Sequence, residues 1–392
     1  MTQSNLLNHM PKILTYLLFT IVPLFIAPNF CYSQLSKKAA TAIASEELSR
    51  QRRLQLSTAK TIWESKQVNY GDYKLKFEYR ILGSKPIDGR SLYISLHGGG
   101  NTSPAANDQQ WKNQISLYTP KEGIYLAPRA ATNTWNLWHE EHIDTMLVEV
   151  IKSAILFEGV NPDKIYLLGY SAGGDGVFQL APRMADHWAA AAMMAGHPGD
   201  ASAINLKNLP FAIYMGGKDA AYNRNKLATH WNRKLDSLEK QHPGSFKHDV
   251  HVYEDMPHWM NRKDTVAIPW LASFKRNSLP KSISWHQDDV HHNRFYWLGI
   301  PKGKAITGAE SIVSIAKNVI TLQKNENKTL FIYLNDELLN LNRKVKVVSD
   351  GKVIFHDKVY RDPAIIKETA VSLDEGKIFS ARLTIEGGAV VR

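Results

Sequence analysis

With 392 residues, 44% of them hydrophobic and 10% aromatic, the chain can bury a sizeable core in about two domains, and its composition is that of an ordinary globular protein, with disorder not indicated beyond the first few dozen residues. Its net charge of +11 comes from basic residues scattered among acids, and the lack of a basic stripe interleaved with aromatics argues against a nucleic-acid partner. A single cysteine, Cys31, excludes a disulfide scaffold.

The first expected element is an export signal. Lys12 precedes the apolar run Ile13 to Ala27, which Pro23 interrupts and which is short for a membrane span. Cys31-Tyr32-Ser33 places small residues where a signal peptidase reads, predicting cleavage before Gln34 and a secreted or periplasmic protein without stable membrane insertion. An uncleaved anchor is the rival reading. A lipoprotein on Cys31 is disfavoured because Phe30 stands where a small residue is needed. Loss of residues 1–33 would leave no cysteine, hence no cysteine nucleophile and no zinc–thiolate site.

Residues 36–66 are polar, Ala-rich and expected to be helical. Tyr73 to Leu82 alternates apolar and polar, as a half-buried strand does. Strands are then expected at Leu92 to Leu96, Gly123 to Ala127, Ile165 to Leu168, Ala189 to Met194, Phe211 to Met215 and His251 to Tyr253. Helical spacing is expected over Ile143 to Phe157, Asn223 to Leu238 and Thr265 to Phe274. Strands alternating with helices predict a mainly parallel sheet covered on both faces, over residues 34–276. From Ser282 the pattern becomes short alternating β segments with almost no helical periodicity, and Asp350-Gly351 marks a hairpin. Residues 277–392 are therefore expected to form a small all-β, antiparallel sandwich packed on the first domain.

Gly169-Tyr170-Ser171-Ala172-Gly173-Gly174 follows the apolar run Lys164 to Leu168 and precedes helical spacing at Val177, Phe178, Leu180, Ala181 and Met184. Strand, Gly-x-Ser-x-Gly, helix is the context of a nucleophile elbow. A serine hydroxyl needs a base within hydrogen-bond reach and an acid to orient that base. The acid expected is Asp219, in the loop after the strand ending at Met215; Asp200, Glu254 and Asp255 are its rivals. His258, in Asp255-Met256-Pro257-His258-Trp259, is the expected base. His242, His248 and His251 read as loop, strand or surface residues.

The oxyanion needs two N–H donors. Ala172, after the nucleophile, supplies one. The other is expected from Gly98 or Gly99 in Leu96-His97-Gly98-Gly99-Gly100. Trp135 and Trp138, in the loop after Ala127, and Trp259 beside the base are candidate substrate walls.

His139-Glu140-Glu141-His142 has the wrong spacing for a zinc-protease helix and is expected to open the helix that follows. Asp288, Asp289, His291 and His292 read as a solvated turn at the domain junction rather than a cation site. No metal or cofactor is called for.

His97-Gly98-Gly99-Gly100, the Ser171 elbow, Gly217-Lys218-Asp219 and Pro257-His258 resemble the α/β-hydrolase superfamily in motif, order and context. Met194-Ala195-Gly196-His197-Pro198, after an Ala-rich strand, is similar to the polyhydroxybutyrate depolymerase and feruloyl esterase-like group. The resemblance covers about residues 70–275. It implies an α/β-hydrolase fold and a secreted serine carboxylesterase acting on polymer or plant-wall esters. That group often has a cysteine in the oxyanion loop, where this chain has only glycine. The alternatives are a serine peptidase of the same fold and a carbohydrate-binding protein working through its β domain. Oligomeric state is not legible.

Overall fold

In the computed structural model, residues 35–391 are described, and the chain from Leu35 onward forms one compact unit. The export segment expected over residues 1–33 lies outside the described residues. Among the described residues, no helix is long and apolar enough to cross a membrane.

The strands up to residue 253 form one eight-stranded sheet. They are β1 (Gln67–Tyr70), β2 (Tyr73–Leu82), β3 (Arg90–Leu96), β4 (Gly123–Arg129), β5 (Val160–Tyr170), β6 (Ala190–Met194), β7 (Phe211–Gly216) and β8 (His248–Tyr253). Their order is β1-β2-β4-β3-β5-β6-β7-β8. β1 and β2 pair antiparallel and β2 joins β4 antiparallel; every other pairing is parallel. All residues of β4, β6 and β7 are buried, as strands covered on both faces must be.

The helices are α1 (Lys37–Ser65), α2 (Pro104–Ile115), α3 (Glu141–Glu158), α4 (Ala172–Arg183), α5 (Arg224–Gln241) and α6 (Ala267–Ala272). In α3, Ile143, Met146, Leu147, Val150, Ile151 and Ala154 form one buried stripe with helical spacing. Glu140 is its N-cap residue, with Glu141 and Asp144 in the first turn, so the His139–His142 segment does open this helix. The helix expected over Thr265 to Phe274 is shorter. A 3-10 turn, Lys263–Val266, precedes it, and buried Asp264 accepts the Tyr118 hydroxyl. Pro269, inside the short helix, has no N–H to extend the ladder backwards.

Beyond residue 280 two five-stranded sheets form. Their strands are β9 (Ser282–His286), β10 (Arg294–Phe295), β11 (Leu298–Gly299), β12 (Glu310–Ala316), β13 (Val319–Asn325), β14 (Thr329–Leu334), β15 (Val345–Ser349), β16 (Lys352–Asp357), β17 (Ala381–Glu386) and β18 (Ala389–Val391). The orders are β10-β11-β14-β17-β18 and β16-β15-β13-β12-β9. Alternating burial in β12 and β17 turns one face of each inward. Asp350 and Gly351 both have positive φ, 48° and 72°, the backbone of the expected tight hairpin between β15 and β16. Two features depart from expectation. β13 and β15 pair parallel, and a helix, α7 (Pro363–Thr369), starts behind an Asp362 N-cap with proline at its head.

This β region is joined to the first part by shared core and by buried polar contacts. Lys377 pairs with Asp186 at 2.7 Å. Arg276, nearly inaccessible, reaches Asp163 at 2.7 Å and Asp374 at 2.8 Å. Asn205 exchanges hydrogen bonds with the backbone of His286. Such paired buried charges fix geometry more than they stabilise.

Candidate active site

Three loops leaving the carboxyl ends of β5, β7 and β8 meet at Ser171. In open α/β sheets that end is where sites form. Ser171 occupies the turn between β5 and α4 with φ 58° and ψ −122°. A non-glycine residue there costs about 1–3 kcal/mol. The turn is held by the Ser171 N–H donating to the Met194 carbonyl at 2.9 Å and by the Ser171 carbonyl accepting from Asp175 N–H at 2.9 Å. A Cβ at Gly173 would lie 2.1 Å from the Leu96 carbonyl oxygen, so α4 can approach β3 only with glycine there.

The Ser171 hydroxyl lies 3.0 Å from His258 Nε2, and His258 Nδ1 lies 2.6 Å from Asp219 Oδ2. Nδ1–H donates to the carboxylate, leaving Nε2 to accept from the serine. Asp219 is buried, with 4% exposure. Its own loop is pinned by its N–H donating to Gly216 O and by Asn225 N–H donating to its carbonyl. Arg224 stands 3.9 Å from its other carboxylate oxygen. Two of the rivals are engaged elsewhere: Asp200 accepts from Gln179, and Asp255 pairs loosely with Lys218; His258 Nδ1 is taken by Asp219 rather than by Glu254. His248 and His251 face Asp236 and Asp249.

Tyr170, the residue before the serine, was not singled out by sequence. Its hydroxyl donates to the His258 carbonyl at 2.6 Å and accepts from Met260 N–H at 3.0 Å. Burial pushes its phenol up, away from ionisation, so it stays a neutral latch behind the histidine loop.

The glycine loop is organised by His97, which is fully buried. Its Nδ1–H donates to the Gly98 carbonyl at 2.6 Å, and its Nε2 accepts the Ala130 N–H at 3.1 Å. Burial lowers its pKa to about 4, so the ring is neutral at physiological pH and the two partners fix its tautomer. A Cβ at Gly98 would sit 3.1 Å from Ser171 Cβ, so glycine lets this loop lie this near the nucleophile without crowding it. Among the described residues, no turn or loop hydrogen bond engages the N–H groups of Gly98, Gly99 or Ala172.

Of the three tryptophans, Trp135 is 68% exposed and Trp259 is 45% exposed, the latter packing on Tyr170. Trp138 is a correction. It has no exposure; its indole N–H donates to the His97 carbonyl at 2.9 Å and its ring stands edge-on to His97. It supports the glycine loop from below and forms no substrate wall. Tyr222, three residues after Asp219, is 75% exposed and packs against the Arg224 guanidinium; the sequence did not suggest it.

A second correction concerns His292. It is not part of a solvated turn: its Nε2 lies 2.7 Å from Asp144 Oδ2, and its side chain is mostly covered. Among the described residues, no group of three or more His, Cys, Asp or Glu side chains is arranged to hold a metal ion.

Asp175, one turn along α4, accepts the His197 N–H at 2.5 Å. Burial raises its carboxyl to about 6, from an ordinary 3.8. A carboxyl that binds its proton more tightly when folded contributes stability fully below the unfolded value, near pH 4, and loses it as pH rises through about 6. Asp175→Asn keeps an acceptor for His197 and carries no charge. It is expected to be more stable than the parent by about 2–3 kcal/mol above pH 7 and no more stable at pH 4. Urea unfolding at both pH values reads this, and an equal difference at the two would contradict it.

Residues 116–287 match the family model described as dienelactone hydrolase family. No curated protein sequence matches the chain. Similar solved structures include a thermostable esterase, at 16% identity and TM-score 0.43, covering 54% of this chain and 62% of that one. A ferulic acid esterase follows at 14% identity and TM-score 0.38, covering 53% and 95%. An acetyl xylan esterase from Paenibacillus sp. R4 has 11% identity and TM-score 0.35, covering 52% and 80%. The chain thus spans less than two thirds of the length of the first of these. The family match, together with a mixed sheet flanked by helices and a strand–Ser171–helix turn, gives the first part of the chain the α/β-hydrolase fold.

Proposed function

We propose that the chain is an exported serine carboxylesterase acting through Ser171, His258 and Asp219. The observation that carries this is the continuous hydrogen-bonded line from Ser171 through His258 to a buried Asp219. In the reaction, Ser171 Oγ attacks the ester carbonyl while His258 Nε2 takes its proton. The histidine then gives that proton to the leaving alcohol. Water, deprotonated by the same nitrogen, attacks the acyl-enzyme carbonyl, and the imidazolium returns that proton to Ser171 Oγ as the ester bond breaks, releasing the acid and the free serine. Asp219 holds the tautomer and stabilises the imidazolium that forms in each half. No cofactor enters these steps.

The oxyanion is taken by Ala172 N–H, at the head of α4 where the helix dipole assists, and by the glycine loop. Gly99 is the better donor. The Gly98 carbonyl is turned down onto buried His97, and a planar trans peptide sends the following N–H the opposite way, out of the core.

His258 is 41% exposed, so the site is open at the surface. Trp135, Tyr222 and Trp259 stand exposed on the loops after β4, β7 and β8. An open site with an aromatic rim suits an ester carried on an aryl group or on a polymer surface better than a small ester enclosed in a pocket. The ferulic acid and acetyl xylan substrates named for two of the similar structures belong to that class. A peptidase is the second reading, on the same triad. A panel of p-nitrophenyl acyl esters, methyl ferulate and acetylated xylo-oligosaccharides, against aminoacyl and prolyl amides, decides between them. Turnover of esters with negligible amide cleavage is expected. Faster cleavage of amides would replace the esterase by a peptidase.

A further inference from the structure

Helix α4 carries Asp175, Gln179 and Arg183 at intervals of four residues, hence on one face. Each fixes a loop beside the site. Asp175 takes the His197 N–H. Gln179 donates to Pro198 O at 3.3 Å and Asp200 Oδ1 at 3.1 Å. Arg183 donates through Nη1 to the His139 carbonyl at 2.8 Å, and through Nε and Nη2 to the two Asp144 oxygens at 2.8 and 2.5 Å. The His139 ring stands edge-on to Trp135, with centroids 5.5 Å apart. The exposed tryptophan of the rim therefore rests on a loop whose backbone is held by Arg183.

The Asp144–Arg183 pair is almost completely buried, at 5% and 2% side-chain exposure. One of its edges is closed by a residue from beyond the α/β part. His292, between β9 and β10, places Nε2 2.7 Å from Asp144 Oδ2. It adds the third hydrogen bond to the carboxylate and covers the pair from solvent. A bidentate guanidinium–carboxylate contact is geometrically stiff only while water is kept from competing for its donors and acceptors.

We propose that His292 is a positioning residue for the Trp135 loop: it completes the Asp144–Arg183 pair that fixes the His139 carbonyl, and so gives the C-terminal β region a part in holding bulky ester substrates. The proposal rests on the esterase reading of Ser171. His292 touches no reacting atom, so the chemical step on a small ester does not depend on it, whereas binding of an ester that reaches Trp135 does.

The test uses the full chain with His292→Ala and His292→Gln, whose amide nitrogen reaches about as far as imidazole Nε2. KM and kcat are measured for p-nitrophenyl acetate and for methyl ferulate, and hydrogen exchange is followed over residues 132–140. The alanine variant is expected to raise KM for the ferulate roughly tenfold, the size of one lost charge-assisted hydrogen bond. It is expected to leave acetate kinetics within twofold and to speed exchange in the loop; glutamine should restore both. Equal KM changes on the two esters, unchanged loop exchange, or no rescue by glutamine would overturn the role of His292. Absence of ester turnover in the parent enzyme would instead overturn the esterase reading, while loop exchange would still decide whether His292 holds the loop.

Discussion

Ser171→Ala is expected to lower kcat for p-nitrophenyl acetate by ~10⁶-fold with little change in stability. The argument has three parts. The hydroxyl is the atom His258 Nε2 faces at 3.0 Å, so its loss removes the group that the proposed base activates. The strain at this residue lies in the backbone, at φ 58°, and alanine tolerates that conformation no worse than serine. The N–H groups of Gly99 and Ala172 remain, so a residual acceleration of ~10³–10⁴ over water is expected from oxyanion stabilisation and binding. Steady-state kinetics and urea unfolding of the variant check both halves. A loss under tenfold would mean that another group is the nucleophile.

Asp219→Asn is expected to cost about 10⁴-fold in kcat while leaving KM near the parent's. The amide is nearly the size of the carboxylate and keeps an atom 2.6 Å from His258 Nδ1. An amide nitrogen placed there would donate, driving the proton of the imidazole to Nε2, where it faces the serine as a donor instead of an acceptor. The buried position makes this severe. With 4% exposure of Asp219, little water is at hand to restore the tautomer. A loss confined to KM would show that the residue serves binding rather than orientation.

The elements that place this site were legible because their signals are local. Apolar runs of strand length and the glycine-bounded serine each depend on neighbours a few residues away, as does the Asp350-Gly351 turn of the C-terminal β region. What was not legible depended on distance or on facing. Helix α2 has no apolar stripe to mark it, because only Asn107 and Gln114 are buried along it. Its signal was Ser103 as N-cap with Pro104 behind it. Trp138 and Trp135 sit three residues apart in one loop, and nothing in the sequence says which turns down onto His97. Tyr170 latches the His258 loop across 88 residues of chain, and His292 reaches Asp144 across 148. The parallel pairing of β13 with β15 likewise follows from packing that no alternation pattern encodes.

The nucleophile itself is tested most directly by covalent mapping. The parent protein would be treated with diisopropyl fluorophosphate, digested, and its peptides sequenced by mass spectrometry. One adduct per chain is predicted, on Ser171, and none after Ser171→Ala. An adduct on any other residue, or a protein that takes none, would contradict the assignment of Ser171 as the catalytic serine.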